Sequence, residues 1–230
     1  MKPLLSVVIP ARNEAQALPA LLDDLAGLRA SGAELILVDG GSSDRTCELA
    51  LGRVDQILRV APGRALQMNA GAAVACGEYV WFLHADTRVS AASLMRLHDV
   101  LSERPLWGRF DVRLSGQGLA LRLIGAMISL RSRLSGIASG DQGIFVARQS
   151  FDALGGYAQI PLMEDLQLCN RLKSLARPRC LRPPLLTSSR RWEQNGIVRT
   201  VLLMWRLRLA YYCGVSPAKL ARQYRRGSWL

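Results

Sequence analysis

Three short polar segments each follow an apolar, β-prone run: "ARNE" after Leu4–Ile9, "DGGSSD" after Glu34–Val38, and "HAD" after Tyr79–Leu83. Such runs read as strands buried on both faces. In an open parallel sheet, ligands gather outside the carboxyl ends of the strands, where loops and helix N-termini converge. Three acid-bearing loops at successive strand exits therefore point to one shared cleft. Asp39 sits at the second exit, where Gly40 and Gly41 permit a tight turn before Ser42. A carboxylate there can accept hydrogen bonds from a ribose or a base, or it can serve a plain strand-to-helix turn. Asp86 at the fourth strand's exit can hold Mg2+ or Mn2+ against a pyrophosphate, offsetting charge that grows on a leaving group. The alternative is that Asp86 caps the next turn and that His84, two residues earlier on the same side, is a packed histidine.

Three further groups carry chemistry. Glu164 and Asp165 in "PLMEDLQLCNRLK" open a helix, where acids are favoured electrostatically whether or not they have another task. A carboxylate within hydrogen-bond reach of a hydroxyl can act as a general base. Asp141 and Gln142, between Gly140 and Gly143, could line a binding site or form a turn before a strand. Arg190, Arg191 and Trp192 could clamp a diphosphate bidentately and stack on a sugar or base, or form a solvated basic loop with an anchoring Trp.

These groups need a frame. Leu18, Leu21, Leu22, Leu25 and Leu28 keep the spacing of one buried helix face, giving a helix from about Glu14. Ser43 or Asp44 caps a second helix running through about Leu51. Gln56–Val60 is a weaker strand, Arg64–Ala75 an Ala-rich helix, and Ala91–Leu101 a helix after the strand Tyr79–Leu83. Strands Arg109–Leu114 and Gly143–Arg148 flank a long apolar helix, Leu119–Leu134, and helices Glu164–Leu175 and Ile197–Cys213 complete the chain before a short basic tail. Alternating strands and helices imply an α/β fold with a mostly parallel central sheet.

The order "SVVIPARNE", "VDGGSSDRT", "HAD" resembles the family 2 glycosyltransferases of the GT-A, Rossmann-like fold, almost letter for letter over Ser6–Glu14 and Val38–Thr46. "GRALQMNAGA", "FLHADT" and "TSSRRW" further resemble a small bacterial subgroup associated with radical-SAM/selenodomain proteins. The resemblance implies transfer of a sugar, with inversion, from a nucleotide-diphosphate donor, a UDP-sugar in the first instance. The acceptor it implies is a hydroxyl or carboxyl of a lipid or small molecule. It implies that the donor is held by Pro10, Arg12, Glu14, Asp39, Gly40, Ser42, Arg64, His84, Ala85 and Asp86. Asp86 would be the residue for a divalent metal, Mg2+ or Mn2+, and Arg190, Arg191 and Trp192 the element that closes over the diphosphate. It implies Asp165 as the catalytic base with Glu164 beside it, and Asp141 and Gln142 at the acceptor. His84 departs from the pattern, standing where the family's D-x-D motif has its first acid.

Two competing classes fit less well. A nucleotidyltransferase begins with a Gly-rich basic loop after its first strand, which "IPARNE" lacks, and a non-enzymatic membrane or nucleic-acid binder needs no acids at three strand exits. The 230 residues are half hydrophobic and carry a formal charge of +12. That is enough for one domain with a sizeable core and gives no sign of disorder. Nine of the Lys and Arg residues lie from Arg190 onward against the single acid Glu193. A tail of this kind suits an anionic membrane surface or simple solubility, and no nucleic-acid partner is expected. The helix Ile197–Cys213 aligns Val201, Leu202, Trp205, Leu209 and Tyr212 on one side, suited either to a membrane interface or to packing on the protein. Division into a catalytic domain, 1–195, and a basic amphipathic extension, 196–230, follows. Five scattered cysteines without a CxxC pair favour reduced thiols. With no signal peptide or spanning helix expected, the reading is a cytoplasmic protein with a peripheral place at the inner face of the cell membrane.

Overall fold

The computed structural model describes residues 2–226; residues 227–230, the end of the expected basic extension, lie outside the described residues. Seven strands form one sheet: β1 Leu5–Ala11, β2 Glu34–Asp39, β3 Gln56–Arg59, β4 Tyr79–Phe82, β5 Trp107–Leu114, β6 Phe145–Ala147 and β7 Arg179–Thr187. Their order is β3-β2-β1-β4-β6-β5-β7. Every pairing is parallel except those of β6, which runs antiparallel to β4 and β5. The chain leaves β1 on one side toward β2 and β3, then returns to lay β4 on the other. The crevice beyond the carboxyl ends of β1 and β4 is thus the topological switch point of the sheet.

The helices are α1 Leu18–Ala30, α2 Thr46–Ala50, α3 Arg64–Val74, α4 Ala91–Ser102, α5 Leu119–Ser135, α6 Arg148–Ala153, α7 Glu164–Leu175, α8 Arg190–Asn195, α9 Ile197–Tyr212 and α10 Pro217–Arg226. The two-residue period of the strands splits their side chains between two cores. Val7, Ile9, Leu35, Leu37 and Trp81 pack with Leu18, Leu21 and Leu25 of α1 and Leu97 and Leu101 of α4. Val8, Ile36, Val38, Val80 and Phe82 pack on the opposite face with Met68 and Ala72 of α3 and Leu168 and Leu172 of α7. Gly71 allows α3 to lie this close, because a Cβ there would collide with Val8 and Val38.

Several expectations are corrected. The first helix begins at Leu18 rather than near Glu14: residues 15–17 form a turn in which the Leu18 N–H donates to the Glu14 carbonyl at 2.9 Å. Pro19 then falls in the first turn, where its missing N–H costs nothing. Asp44 does not cap α2 directly; its Oδ1 accepts the Thr46 N–H at 3.0 Å and closes the turn ahead of the helix. β6 is only three residues long, since Gly143 has φ 55° and α6 takes over at Arg148.

β7 and α10 were not anticipated. β7 contains Pro183 and Pro184 but is the edge strand, where missing N–H groups break no ladder on the open side. Beneath it, Asp111 accepts from Arg109, from Arg133 Nη2 at 2.7 Å and from Arg182 Nε at 3.0 Å. Burial pushes the Asp111 carboxyl up, but these three donors outweigh it and hold it below the usual carboxylate range. The C-terminal helices pack on the body: Leu203 and Leu207 of α9 and Leu220 of α10 join the core that contains α3 and α7.

Candidate active site

The loops after β1 and β2 are tied together by side chains. Asn13, at φ 54°, donates its N–H to Ser42 Oγ at 2.9 Å, and its Oδ1 accepts the Ser43 N–H at 2.8 Å. The Glu14 N–H donates to Thr46 Oγ1 at 2.9 Å. The Gly40 N–H donates to the Ala11 carbonyl at 2.9 Å. Gln67 of α3 reaches between the same strands, donating from Nε2 to the carbonyls of Ala11 and Val38 at 2.9 and 2.8 Å. A Cβ on Gly40 would sit 2.9 Å from the Gln67 side chain, so glycine is required for that clamp. Asp39 is buried at the strand end and accepts from Ser42 Oγ at 2.5 Å and the Ser42 N–H at 3.0 Å. With Ser42 it lines a shallow groove beside Arg59 and Ala61, next to the main cleft rather than inside it.

The main cleft, about 470 Å³, opens at the switch point. Pro10, Arg12 and Glu14 from the β1 exit, His84, Ala85 and Asp86 from the β4 exit, and Arg64 from α3 line it. Arg190 closes its other side, with Nη2 3.3 Å from Glu14 Oε2 and 3.8 Å from Asp86 Oδ2. Burial raises the Glu14 carboxyl above its ordinary value, and the Asp86 charge adds to this, outweighing the opposing pull of Arg190. Arg190, Arg191 and Trp192 lie on the short helix α8 and not on the basic loop that was the alternative to a clamp, and the Arg191 guanidinium stacks 3.9 Å over the Tyr224 ring of α10.

The acids expected at the acceptor side meet around one turn. Gly140, Asp141 and Gln142 form a single 3-10 turn whose Gly140 N–H donates to Asp165 Oδ2 at 2.8 Å. The other Asp165 oxygen accepts the Leu166 N–H at 2.8 Å. Asp141 Oδ1 lies 3.1 Å from His84 Nδ1, so the imidazole standing in the acid's place joins the β4 exit to this turn. Desolvation pushes the Asp141 carboxyl up, yet the His84 hydrogen bond and the charges of His84, Arg64 and Arg191 hold it below the ordinary range. Gln142 is a correction. It is fully buried, its Oε1 accepts the Ser139 N–H at 3.1 Å and its Nε2 donates to the Phe110 carbonyl at 3.2 Å, so it holds the turn instead of facing a cavity.

Glu164 is buried at the start of α7 and pairs with Arg64 Nη1 at 3.3 Å. Burial, followed by the neighbouring Asp165 charge, raises its carboxyl above the ordinary value despite Arg64. Asp165, with Glu164 beside it, lines a second, mostly apolar cavity of about 310 Å³ between α5 and α9. Arg64, Asp141, Trp192 and Tyr224 line both cavities and form the wall between them.

Among the described residues, no group of three or more His, Cys, Asp or Glu side chains is placed to cage an ion. Asp86 offers one carboxylate at the cleft floor. Mg2+ is commonly held by one or two carboxylates with substrate phosphates filling other positions. These residues therefore fit an ion that a bound diphosphate completes.

Sequence reading missed Gln67 and Tyr224. A glutamine on the inward face of an otherwise Ala-rich helix was the available signal for Gln67. Tyr224 acts only through the way α10 folds back, which no local pattern announces.

The sequence model described as "Glycosyl transferase family 2" matches residues 6–150, from β1 into α6 and short of Asp165 and Arg190. A PGL/p-HBAD biosynthesis glycosyltransferase of Mycobacterium tuberculosis is 38% identical over 100 residues, 40% of this chain and 39% of that protein. A beta-monoglucosyldiacylglycerol synthase of Synechocystis is 27% identical over 197 residues, 74% of this chain and 40% of the relative. The chain thus spans about two-fifths of the length of these curated relatives. Among solved structures, the mannosyltransferase PcManGT from Pyrobaculum calidifontis, in complex with GDP-Man and Mn2+, superposes with a TM-score of 0.63 at 17% identity. The match covers 96% of this chain and 68% of that one. The α/β architecture is that of the GT-A glycosyltransferases.

Proposed function

The chain belongs to glycosyl transferase family 2, and from that premise we propose that it moves a sugar from a nucleoside-diphosphate donor to an acceptor hydroxyl with inversion at the anomeric carbon. The carrying observation is the arrangement of Asp165. It opens onto one cavity, while Glu14, Asp86 and Arg190 line the other, and Arg64, Asp141, Trp192 and Tyr224 form the shared wall.

On this reading the diphosphate lies in the cleft at the switch point, with Arg190 and Arg191 turned onto it and Trp192 beside the sugar. Asp39 and Ser42 take the nucleoside end in the adjoining groove. Asp86 holds a Mg2+ or Mn2+ ion, which when bound offsets negative charge on the departing diphosphate. Asp165 takes the proton from the acceptor hydroxyl as its oxygen bonds to the anomeric carbon. The bond from that carbon to the diphosphate oxygen breaks, and the electron pair leaves with the diphosphate. Single displacement of this kind inverts the centre. Glu164, neutralised by Arg64, positions Arg64 in the wall, and Asp141 borders the acceptor.

The acceptor is a lipid or an apolar small molecule, a reading supported by the mostly apolar second cavity and by the diacylglycerol in the name of one relative. The five free cysteines support a reducing, cytoplasmic location. Among the described residues no helix is long and apolar enough to cross a membrane, so the membrane contact we propose is peripheral, through α9. The catalytic unit ends at 195, with α9 and α10 as its extension, and the small radical-SAM-associated subgroup is the branch we infer from "GRALQMNAGA" and "TSSRRW".

The test is a thermal-shift panel of UDP, GDP and dTDP with and without Mn2+. Stabilisation by one nucleotide that grows with Mn2+ is expected, UDP first. No response to any nucleotide would overturn the reading.

A further inference from the structure

The cavity beside Asp165 is built by two helices in the same way. α5 contributes Ile124, Ile128 and Arg131; α9 contributes Met204, Trp205 and Arg208. Arg131 and Arg208 are each the residue seven positions beyond the first lining residue of their helix, Ile124 and Val201, so both guanidinium groups enter one chamber, whose mostly apolar lining also holds Arg64, Asp141, Glu164 and Asp165. Arg131 Nη2 is buried and has no hydrogen-bond partner, and among the described residues neither arginine forms an ion pair. Burial, then repulsion by Arg208, lowers the Arg131 guanidinium to about 10 against the opposing pull of Asp165. Two cations crowded together, with Asp165 pulling on Arg131 but forming no ion pair with it, leave a place for an anion.

The outer faces of the same helices are apolar and open. α5 exposes Leu119, Leu123, Met127, Leu130 and Leu134, and α9 exposes Val198, Leu202, Trp205, Leu209 and Tyr212. Each set follows the spacing of one helix face. Met127 and Trp205 belong both to these stripes and to the chamber lining, so the stripes flank the chamber's mouth. Neither helix carries a single Asp or Glu; their charges are Arg122, Arg131 and Arg133 on α5, the last held by Asp111, and Arg199, Arg206 and Arg208 on α9. A second copy of this face would meet it with like charge, whereas an anionic bilayer complements it.

We propose that the α5/α9 face docks on an anionic membrane and that the chamber takes the acceptor from it as a phosphate-bearing lipid, the phosphate on Arg131 and Arg208, the chain toward Met127 and Trp205, and the acceptor oxygen toward Asp165. This rests on the transferase reading and adds the acceptor class.

The experiment measures binding of n-dodecyl phosphate, inorganic phosphate and n-dodecanol, all below micellar concentration, to the full chain without donor. It also compares flotation on vesicles of neutral phosphatidylcholine with vesicles containing phosphatidylglycerol. Dodecyl phosphate should bind at least tenfold more tightly than either half-molecule. Arg131→Gln and Arg208→Gln should each weaken it tenfold or more, with Arg131→Lys losing less. Leu130→Ser with Leu209→Ser, both at exposed positions, should abolish flotation on anionic vesicles and leave dodecyl phosphate binding within twofold. Equal binding of inorganic phosphate or of dodecanol, no binding at all, equal binding by the Gln variants, or equal flotation on neutral vesicles overturns the proposal. Nucleotide thermal shifts on the same samples separate the two readings. A nucleotide response without dodecyl phosphate binding sinks only the lipid site, and lipid binding without any nucleotide response sinks the transferase.

Discussion

Replacing Asp165 with Asn tests the chemistry most directly, because the structure separates its catalytic and its structural consequence. Both carboxylate oxygens already accept a backbone N–H, from Gly140 and Leu166, each at 2.8 Å. Asparagine can keep one of these bonds but turns an NH2 toward the other donor. Losing one hydrogen bond to a charged group costs about 1.5–3 kcal/mol. In a chain of this size that lowers Tm by roughly 4–10 °C, a loss that leaves the protein folded at assay temperature. Removing the proposed base is the larger effect. General-base catalysis contributes about 10²–10⁴-fold, equivalent to roughly 3–5 kcal/mol on the barrier. The assay is release of nucleoside diphosphate from the donor, with water as acceptor until the natural one is in hand, alongside nucleotide affinity. Turnover should fall by at least a hundredfold while nucleotide affinity stays within threefold, since Asp165 faces the other cavity. Turnover within tenfold of the parent would refute the assignment. A parallel loss of nucleotide affinity would show that Asp165 only supports the Gly140 turn.

Asp86→Asn should remove the Mn2+-dependent part of the nucleotide thermal shift and spare the metal-free part; an undiminished Mn2+ response would place the ion elsewhere. Asp111→Asn should cost about 3–5 kcal/mol in urea unfolding, because fully buried Arg109 loses its counterion, and a loss under 1 kcal/mol would contradict this. The Asp111 carboxyl is held low in the fold, so its stabilisation is present above the unfolded value near 3.8 and lost as pH falls through the folded one. The parent's stability should therefore drop on acidification below about pH 4, a slope that the Asn variant flattens. Thiol labelling should reach exposed Cys76 and Cys213 first and Cys169 last, since burial pushes the Cys169 thiol up to about 12; early labelling of Cys169 would mean that α7 opens locally.

The strands whose exits line the cleft were legible because each is a short apolar run buried on both faces, and the helices between them repeat Leu or Ala at helical spacing. Glu14, Arg64, His84 and Asp86 were readable for that reason: fixed strand exits and one helix start deliver them to the same crevice. What failed to show were features fixed by non-local pairing. β7 carries two prolines that argue against a strand anywhere but an edge, and only the completed sheet makes it the edge. For Gln142, between glycines, the sequence left a binding-site lining and a turn before a strand equally open. Its burial depends on β5 offering the Phe110 carbonyl from thirty-two residues away. The stripe on α5 was visible as an apolar run, but which of its residues pack and which stay exposed is set by tertiary neighbours such as Ile197 and Val201.

His84 shows how the two halves of the site are joined. An imidazole in place of the family's first acid looks like the loss of a donor ligand when that motif is considered alone. In the fold, its Nδ1 meets Asp141 at 3.1 Å, and Asp141 follows the residue whose N–H holds Asp165. A carboxylate at position 84 would face the Asp141 carboxylate across that gap, and like charges this close cannot both ionise without penalty. The histidine therefore belongs with Asp141 as one unit. Together they run from the residue pair that ends in Asp86, across the wall shared by both cavities, to the turn that orients Asp165. That turn thus ties the β4 exit, with Asp86, to Asp165. A site arranged this way can keep the donor's anomeric carbon and the acceptor's oxygen in register through a single short segment, Ser139 to Gln142, braced from beneath by the buried amide of Gln142.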